Sequence, residues 1–234
     1  MGVGILVLVL LMGLGMPVAA QEPEALFVLA NERYLAGDYA GAIEYYEELV
    51  DLYPSANVYY NLGNAYYRQG KLGYAILNYQ RAQRLAPRDR DIAHNLEYLR
   101  SQVPGEQRWE FRHLFEPFTW RELQALLVIS YLMLLTAGLL VRKRTAPWKA
   151  TLVLTGMLLV FAGAGLLVRG LSSPYGVVVE EVAARFAPQL QGTVHFSLPE
   201  GALVSILEEQ GDWYLIKQQD QRRGWIPKSA CELL

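Results

Sequence analysis

The chain has 234 residues, of which 53% are hydrophobic and 19% charged, and its mean hydropathy is slightly positive at +0.13. Its formal net charge of −2, from 21 basic and 23 acidic side chains, excludes a nucleic-acid binder, which needs a clear basic excess. The single cysteine, Cys231, excludes a disulfide framework and a thiolate zinc site, and His94, His113 and His195 lie too far apart to show a metal-ligand cluster.

Three apolar runs divide the sequence. The first, Met1 to Ala20, is continuously apolar from Gly4 to Met16 and closes on Val18-Ala19-Ala20 before Gln21-Glu22. A short apolar core followed by small residues predicts a secretory signal over 1–20, cleaved after Ala20 or retained as an anchor. The second and third runs, 123–141 and 150–168, carry no charged side chain. Each is close to the ~20 residues a helix needs to cross ~30 Å of hydrocarbon, which predicts a transmembrane hairpin. The connecting stretch 142–149 carries Arg142, Lys143, Arg144 and Lys149 and no acid, which predicts a cytoplasmic loop with both flanking domains outside.

Residues 21–101 contain an internal repeat. Leu29-Ala30-Asn31 returns as Leu62-Gly63-Asn64, and Gly37, Ala42, Tyr46 and Pro54 return as Gly70, Ala75, Tyr79 and Pro87, each pair 33 residues apart. That period, with these residue types, is that of tetratricopeptide repeats. Small residues let paired helices approach, tyrosines fill the space between them, the glycines allow the turn, and each proline stops the second helix. A partial third copy follows, with Asn95-Leu96 lying 34 residues after Asn61-Leu62, and 89–101 is predicted as a capping helix.

The second copy carries Tyr59, Leu62, Gly63, Tyr66, Ala75, Tyr79, Ala82 and Pro87, and so resembles the tetratricopeptide family closely. The resemblance implies an extended peptide or protein segment held on the concave face of the first helices, lined here by Asn31, Tyr34, Tyr60, Asn64, Tyr67, Arg68 and Tyr98. Asn31, Asn61 and Asn95 are similar to the asparagines that hold peptide backbone in carboxylate-clamp members. Phe27 and Asp91 stand at two of the places where those members have lysines, which argues against capture of a free carboxyl terminus.

Residues 102–122 read as a linker and interfacial segment, broken by Pro104-Gly105 and then mixing Trp109, Phe111, Phe115, Phe118 and Trp120 with Arg108, Arg112 and Arg121. A further linker spans 169–174. Residues 175–234 then change to short β-rich runs over 175–182, 194–197, 202–207, 213–217 and 224–226, separated by turn residues such as Pro199-Glu200-Gly201 and Gly211-Asp212. Five short strands in about 60 residues suit a small barrel. Ala184-Arg185 with Pro188, Leu198-Pro199-Glu200-Gly201, Gly211-Asp212-Trp213-Tyr214 and Gly224-Trp225-Ile226-Pro227 resemble the bacterial SH3-like family. The resemblance implies binding of peptide or cell-wall glycopeptide, with Trp213, Tyr214 and Trp225 as an aromatic surface.

No nucleophile elbow, phosphate loop, HExxH or paired-carboxylate motif occurs, so the expectation is a non-enzyme without metal or cofactor. The expected fold class is a multidomain membrane protein: an all-α tetratricopeptide solenoid, a transmembrane helical hairpin and a small all-β SH3-like barrel. In that order of parts the whole chain resembles the E-type proteins of the bacterial aerotolerance (Bat) operons. The resemblance implies a multi-pass protein of the cytoplasmic (inner) membrane that scaffolds von Willebrand factor A-type membrane proteins and a MoxR-type ATPase system. A cell-wall module that docks on peptidoglycan, with the repeats as spacer, is the alternative.

Overall fold

The computed structural model describes residues 22–104, 118–142, 148–170 and 174–234. The expected signal over 1–20, residues 105–117 of the interfacial segment and 143–147 of the expected loop lie outside the described residues.

Five helices make the repeat domain: α1 (Glu22–Leu35), α2 (Tyr39–Leu52), α3 (Ala56–Arg68), α4 (Leu72–Leu85) and α5 (Arg90–Arg100). Three of them start on a side-chain cap. Asp38 accepts from the Gly41 amide at 3.0 Å, Ser55 from Val58 at 3.3 Å, and Asp89 from Asp91 at 2.9 Å and Ile92 at 3.2 Å. Each such cap is worth about 0.5–2 kcal/mol. Gly37 and Gly70 take φ of +80° and +82° in the turns between paired helices, a region that only glycine enters freely. Ala30, Ala42, Ala65 and Ala75 are fully buried where the helices meet, and Tyr46, Tyr66 and Tyr79 fill the volume between them. The last helix closes the stack with Ile92, Leu96 and Leu99.

Two longer helices follow, α6 (Trp120–Arg142) and α7 (Trp148–Gly170), which pack side by side. The α6 start is a capping box: the Thr119 hydroxyl accepts from the Glu122 amide at 3.2 Å, and the Glu122 carboxylate accepts from the Thr119 amide at 2.8 Å. Arg88 donates to the same carboxylate at 2.8 Å and ties α6 to the end of the repeats. Ser130 and Thr155 are fully buried polar residues of this pair, and the Ser130 hydroxyl donates to the Leu126 carbonyl. Among the described residues no helix is long and apolar enough to cross a membrane. That finding overturns the expected transmembrane hairpin over 123–141 and 150–168, and with it the multi-pass inner-membrane location and the orientation read from 142–149.

The carboxy-terminal part is a seven-stranded antiparallel sheet: β1 (Tyr175–Val178), β2 (Val182–Arg185), β3 (Val194–Leu198), β4 (Leu203–Gln210), β5 (Trp213–Lys217), β6 (Arg223–Pro227) and β7 (Cys231–Leu233). The strand order is β3-β2-β6-β5-β4-β1-β7. Five runs were expected from sequence. The run over 175–182 divides at the exposed pair Glu180-Glu181, and β7 adds a short strand against β1, with Val178 opposite Cys231. Val177, Leu198, Val204, Ile216 and Ile226 form the barrel interior.

The barrel and the repeats share one continuous core. The join is α4. Lys71, before its first turn, offers no side-chain cap. Glu200, in the β3–β4 turn, supplies one from the barrel: its carboxylate accepts from the Gly73 amide at 2.8 Å, an acid at the positive end of the helix dipole. Both glycines at this contact are required by space. A Cβ on Gly73 would stand 2.5 Å from the Val178 carbonyl, and a Cβ on Gly201, at φ +86°, would stand 2.7 Å from Ile76 and 2.8 Å from Val103. Two turns along α4, Arg81 donates to the Leu233 carbonyl at 3.0 Å, with Glu232 at 3.7 Å.

Candidate functional site

The repeat phase places the candidate groove residues on α1, α3 and α5. Tyr67 and Tyr98 are exposed and meet edge to face, with ring centroids 6.4 Å apart. The neighbouring Tyr67 hydroxyl holds the Tyr98 phenol above its ordinary range. Tyr34 and Tyr60 are half-buried. Tyr34 packs edge to face on Tyr39, at 5.4 Å, and Tyr60 leans on Tyr79, at 5.6 Å. Arg68 is exposed, but its guanidinium lies 5.2 Å over the Tyr39 ring, so it bridges the two repeats rather than standing free.

The asparagines are half-engaged from below. Asn31 accepts from the Tyr46 hydroxyl at 2.6 Å, and Asn64 accepts from the Tyr79 hydroxyl at 2.5 Å. Asn95 donates to the Tyr60 hydroxyl at 3.0 Å. In Asn31 and Asn64 the carboxamide oxygen is taken by the helix behind, which turns the amide NH₂ away from that helix. Burial pushes the Tyr46 hydroxyl up to about 12 and raises Tyr79 too, so both phenols stay donors at neutral pH. Tyr39, Tyr46 and Tyr79 therefore support the candidate site, although the sequence marked none of them as groove residues, and Asn95, marked there as a backbone-holding asparagine, joins it through Tyr60. The available signal was the joint recurrence of Asn31 with Tyr46 and Asn64 with Tyr79 at one spacing.

On the barrel the three candidate aromatics separate. Tyr214 is buried on the same face as Ile216 and Ile226, inside the core. The Lys228 ammonium lies over its ring, 5.3 Å from the centroid, and pairs with Glu209. Trp213 and Trp225 are half-buried on the opposite face: Trp213 pairs with Pro227, and Trp225 with Leu215. Strand alternation cannot present Trp213 and Tyr214 on one surface, so the outward strip is Trp213, Leu215, Trp225 and Pro227.

Two family models match. Residues 23–90 match the tetratricopeptide repeat, and residues 180–231 match the bacterial SH3 domain. The chain carries tetratricopeptide repeats and a bacterial SH3 domain. Domains of both kinds are typically non-catalytic binding modules. The resemblance to E-type Bat proteins thus rests on its repeat and SH3-like parts. The carboxy-terminal SH3 domain of myosin IB from Entamoeba histolytica, a crystal structure, is similar at 19% identity and a TM-score of 0.22, over 27% of this chain and 95% of that one. No curated protein matches the chain.

Proposed function

We propose that this protein is a non-enzymatic scaffold whose repeat groove grips an extended segment of a protein partner. The observation that carries the reading is the exposed Tyr67–Tyr98 pair beside Asn64, whose amide NH₂ is left to donate because Tyr79 holds its oxygen. Exposed, rigid tyrosines give large contact area at low entropic cost, and an amide donor suits a peptide carbonyl. Tyr34 and Tyr60 continue the aromatic lining, and Asn31 repeats the amide one helical pair earlier. Arg68 contributes by fixing Tyr39 against the adjacent repeat.

The test is selection of random peptides displayed on phage against the full chain and its Tyr67→Ala variant. Sequences enriched by the first and lost by the second support the groove. Equal enrichment by both, or none by either, contradicts it.

A second reading has its own observation. The half-buried strip of Trp213, Leu215 and Trp225 offers flat apolar faces of the kind that stack on sugar rings, which suits a peptidoglycan-binding barrel. Co-sedimentation of the chain with purified sacculi, compared with Trp225→Ala, separates it from the groove.

A further inference from the structure

The helix α4 has two working faces. One face carries Ala75, Tyr79 and Ala82 into the repeat stack, where Tyr79 holds Asn64 and supports Tyr60. The other carries Leu72, Gly73 and Ile76 into the barrel contact, where Glu200 caps the helix and Gly201 and Val103 close on Ile76. Gln80 lies one turn beyond Ile76 on that second face. It is 5% exposed, and neither its amide nitrogen nor its oxygen has a hydrogen-bond partner. A buried, unpaired carboxamide opposes closure, so the contact is tight at Gly73 and carries a penalty at Gln80.

We propose that docking of the SH3-like barrel on α4 is an intramolecular switch that sets the peptide groove, with the Glu200 cap and the Gly73 contact as its latch. Docked, the barrel completes the α4 start and holds Tyr79 in register under Asn64 and Tyr60. Released, α4 loses its only described cap at the first turn, and the supports of the groove loosen with it. Barrel and groove are then linked sites: where the ligand of each prefers the docked state, binding at one tightens binding at the other by the same factor in both directions. The inference rests on the groove reading only for its consequence; the coupling itself is read in the free protein.

The test is amide hydrogen exchange on the full chain, comparing the native protein with Gly73→Ala and Arg81→Ala. Alanine favours helix over glycine, so Gly73→Ala slows exchange in α4 if the barrel is not seated there. With the barrel seated, the added Cβ meets the Val178 carbonyl and the sign reverses. The expected result is exchange about tenfold faster at 175–179 and 198–203, at the α4 start, and in α3 under the groove. Arg81→Ala, which leaves the helix start untouched, is expected to move the same segments in the same direction by a smaller factor, and it stands in if Gly73→Ala fails to fold. Slower exchange in Gly73→Ala with no change in Arg81→Ala overturns docking. Faster exchange confined to the barrel, with α3 unchanged in both variants, overturns the coupling. Neither outcome depends on a peptide partner, so a failed phage selection leaves this result independent.

Discussion

The Tyr79 hydroxyl donates to the Asn64 carboxamide oxygen at 2.5 Å, and the same bond joins Tyr46 to Asn31 at 2.6 Å one repeat earlier. In each repeat the second helix thereby fixes a polar side chain on the first. Tyr79→Phe removes the hydroxyl and leaves a half-buried oxygen unpaired. The expected cost is about 1–2 kcal/mol in chemical denaturation of the full chain, and Tyr46→Phe is expected to cost a similar amount. An unchanged midpoint in both variants contradicts the bonds.

Stability is expected to fall at alkaline pH. Burial pushes Tyr46 and Cys231 to about 12 and raises Tyr66 and Tyr79, while the unfolded groups sit at ordinary values near 10 and 9. The neutral forms are favoured in the fold. Their contribution is thus fully present below the unfolded values and is lost as pH rises through the folded ones, from about 9 toward about 12. Denaturation midpoints taken from pH 8 to 11 should drop, and the share of tyrosinate absorbance that is lost in Tyr46→Phe or Tyr79→Phe should appear in the native chain only alongside unfolding. Ionisation of either residue near 10 in a still-folded chain, read as that difference, contradicts the burial.

The barrel aromatics should separate by face. Tyr214→Ala empties core volume and is expected to cost about 3–5 kcal/mol, as large buried aromatics do. Trp213→Ala and Trp225→Ala truncate half-buried side chains and should cost clearly less. Thermal melts of the three variants decide the order, and a Tyr214 variant as stable as the tryptophan ones contradicts the assignment of faces.

Cys231 is 4% exposed, against β1 at Val178. It should not react with a thiol-specific reagent in the native chain and should react fully on unfolding. Rapid labelling at neutral pH in native conditions contradicts the β7 position.

The repeats were legible because their period is stamped on side chains: Gly37 with Gly70, and Tyr46 with Tyr79, need no three-dimensional information to be paired. The role of Tyr79 was half legible, as space filler but not as the partner of Asn64, because that bond crosses between helices. Strand alternation already forbade Trp213 and Tyr214 from sharing a surface, and motif resemblance hid it. Barrel docking was not legible at all. Glu200 and Gly73 are 127 positions apart, and each has an adequate local meaning, one as a turn acid and the other as a small helix residue. The apolar runs 123–141 and 150–168 misled for a related reason: hydropathy reads side-chain composition, and the two helices that contain them give no helix long and apolar enough, over the described residues, to cross a membrane.

In-cell photocrosslinking from position 67, with a probe residue replacing Tyr67, tests the groove most directly. The account predicts a discrete protein adduct whose mapped site lies in an extended segment, competed by a peptide of that segment and absent when the probe stands at exposed Glu48 on α2. Equal labelling from 67 and 48, or no adduct from 67 and 98 in a stably expressed chain, would make the groove ordinary helix surface and contradict the account.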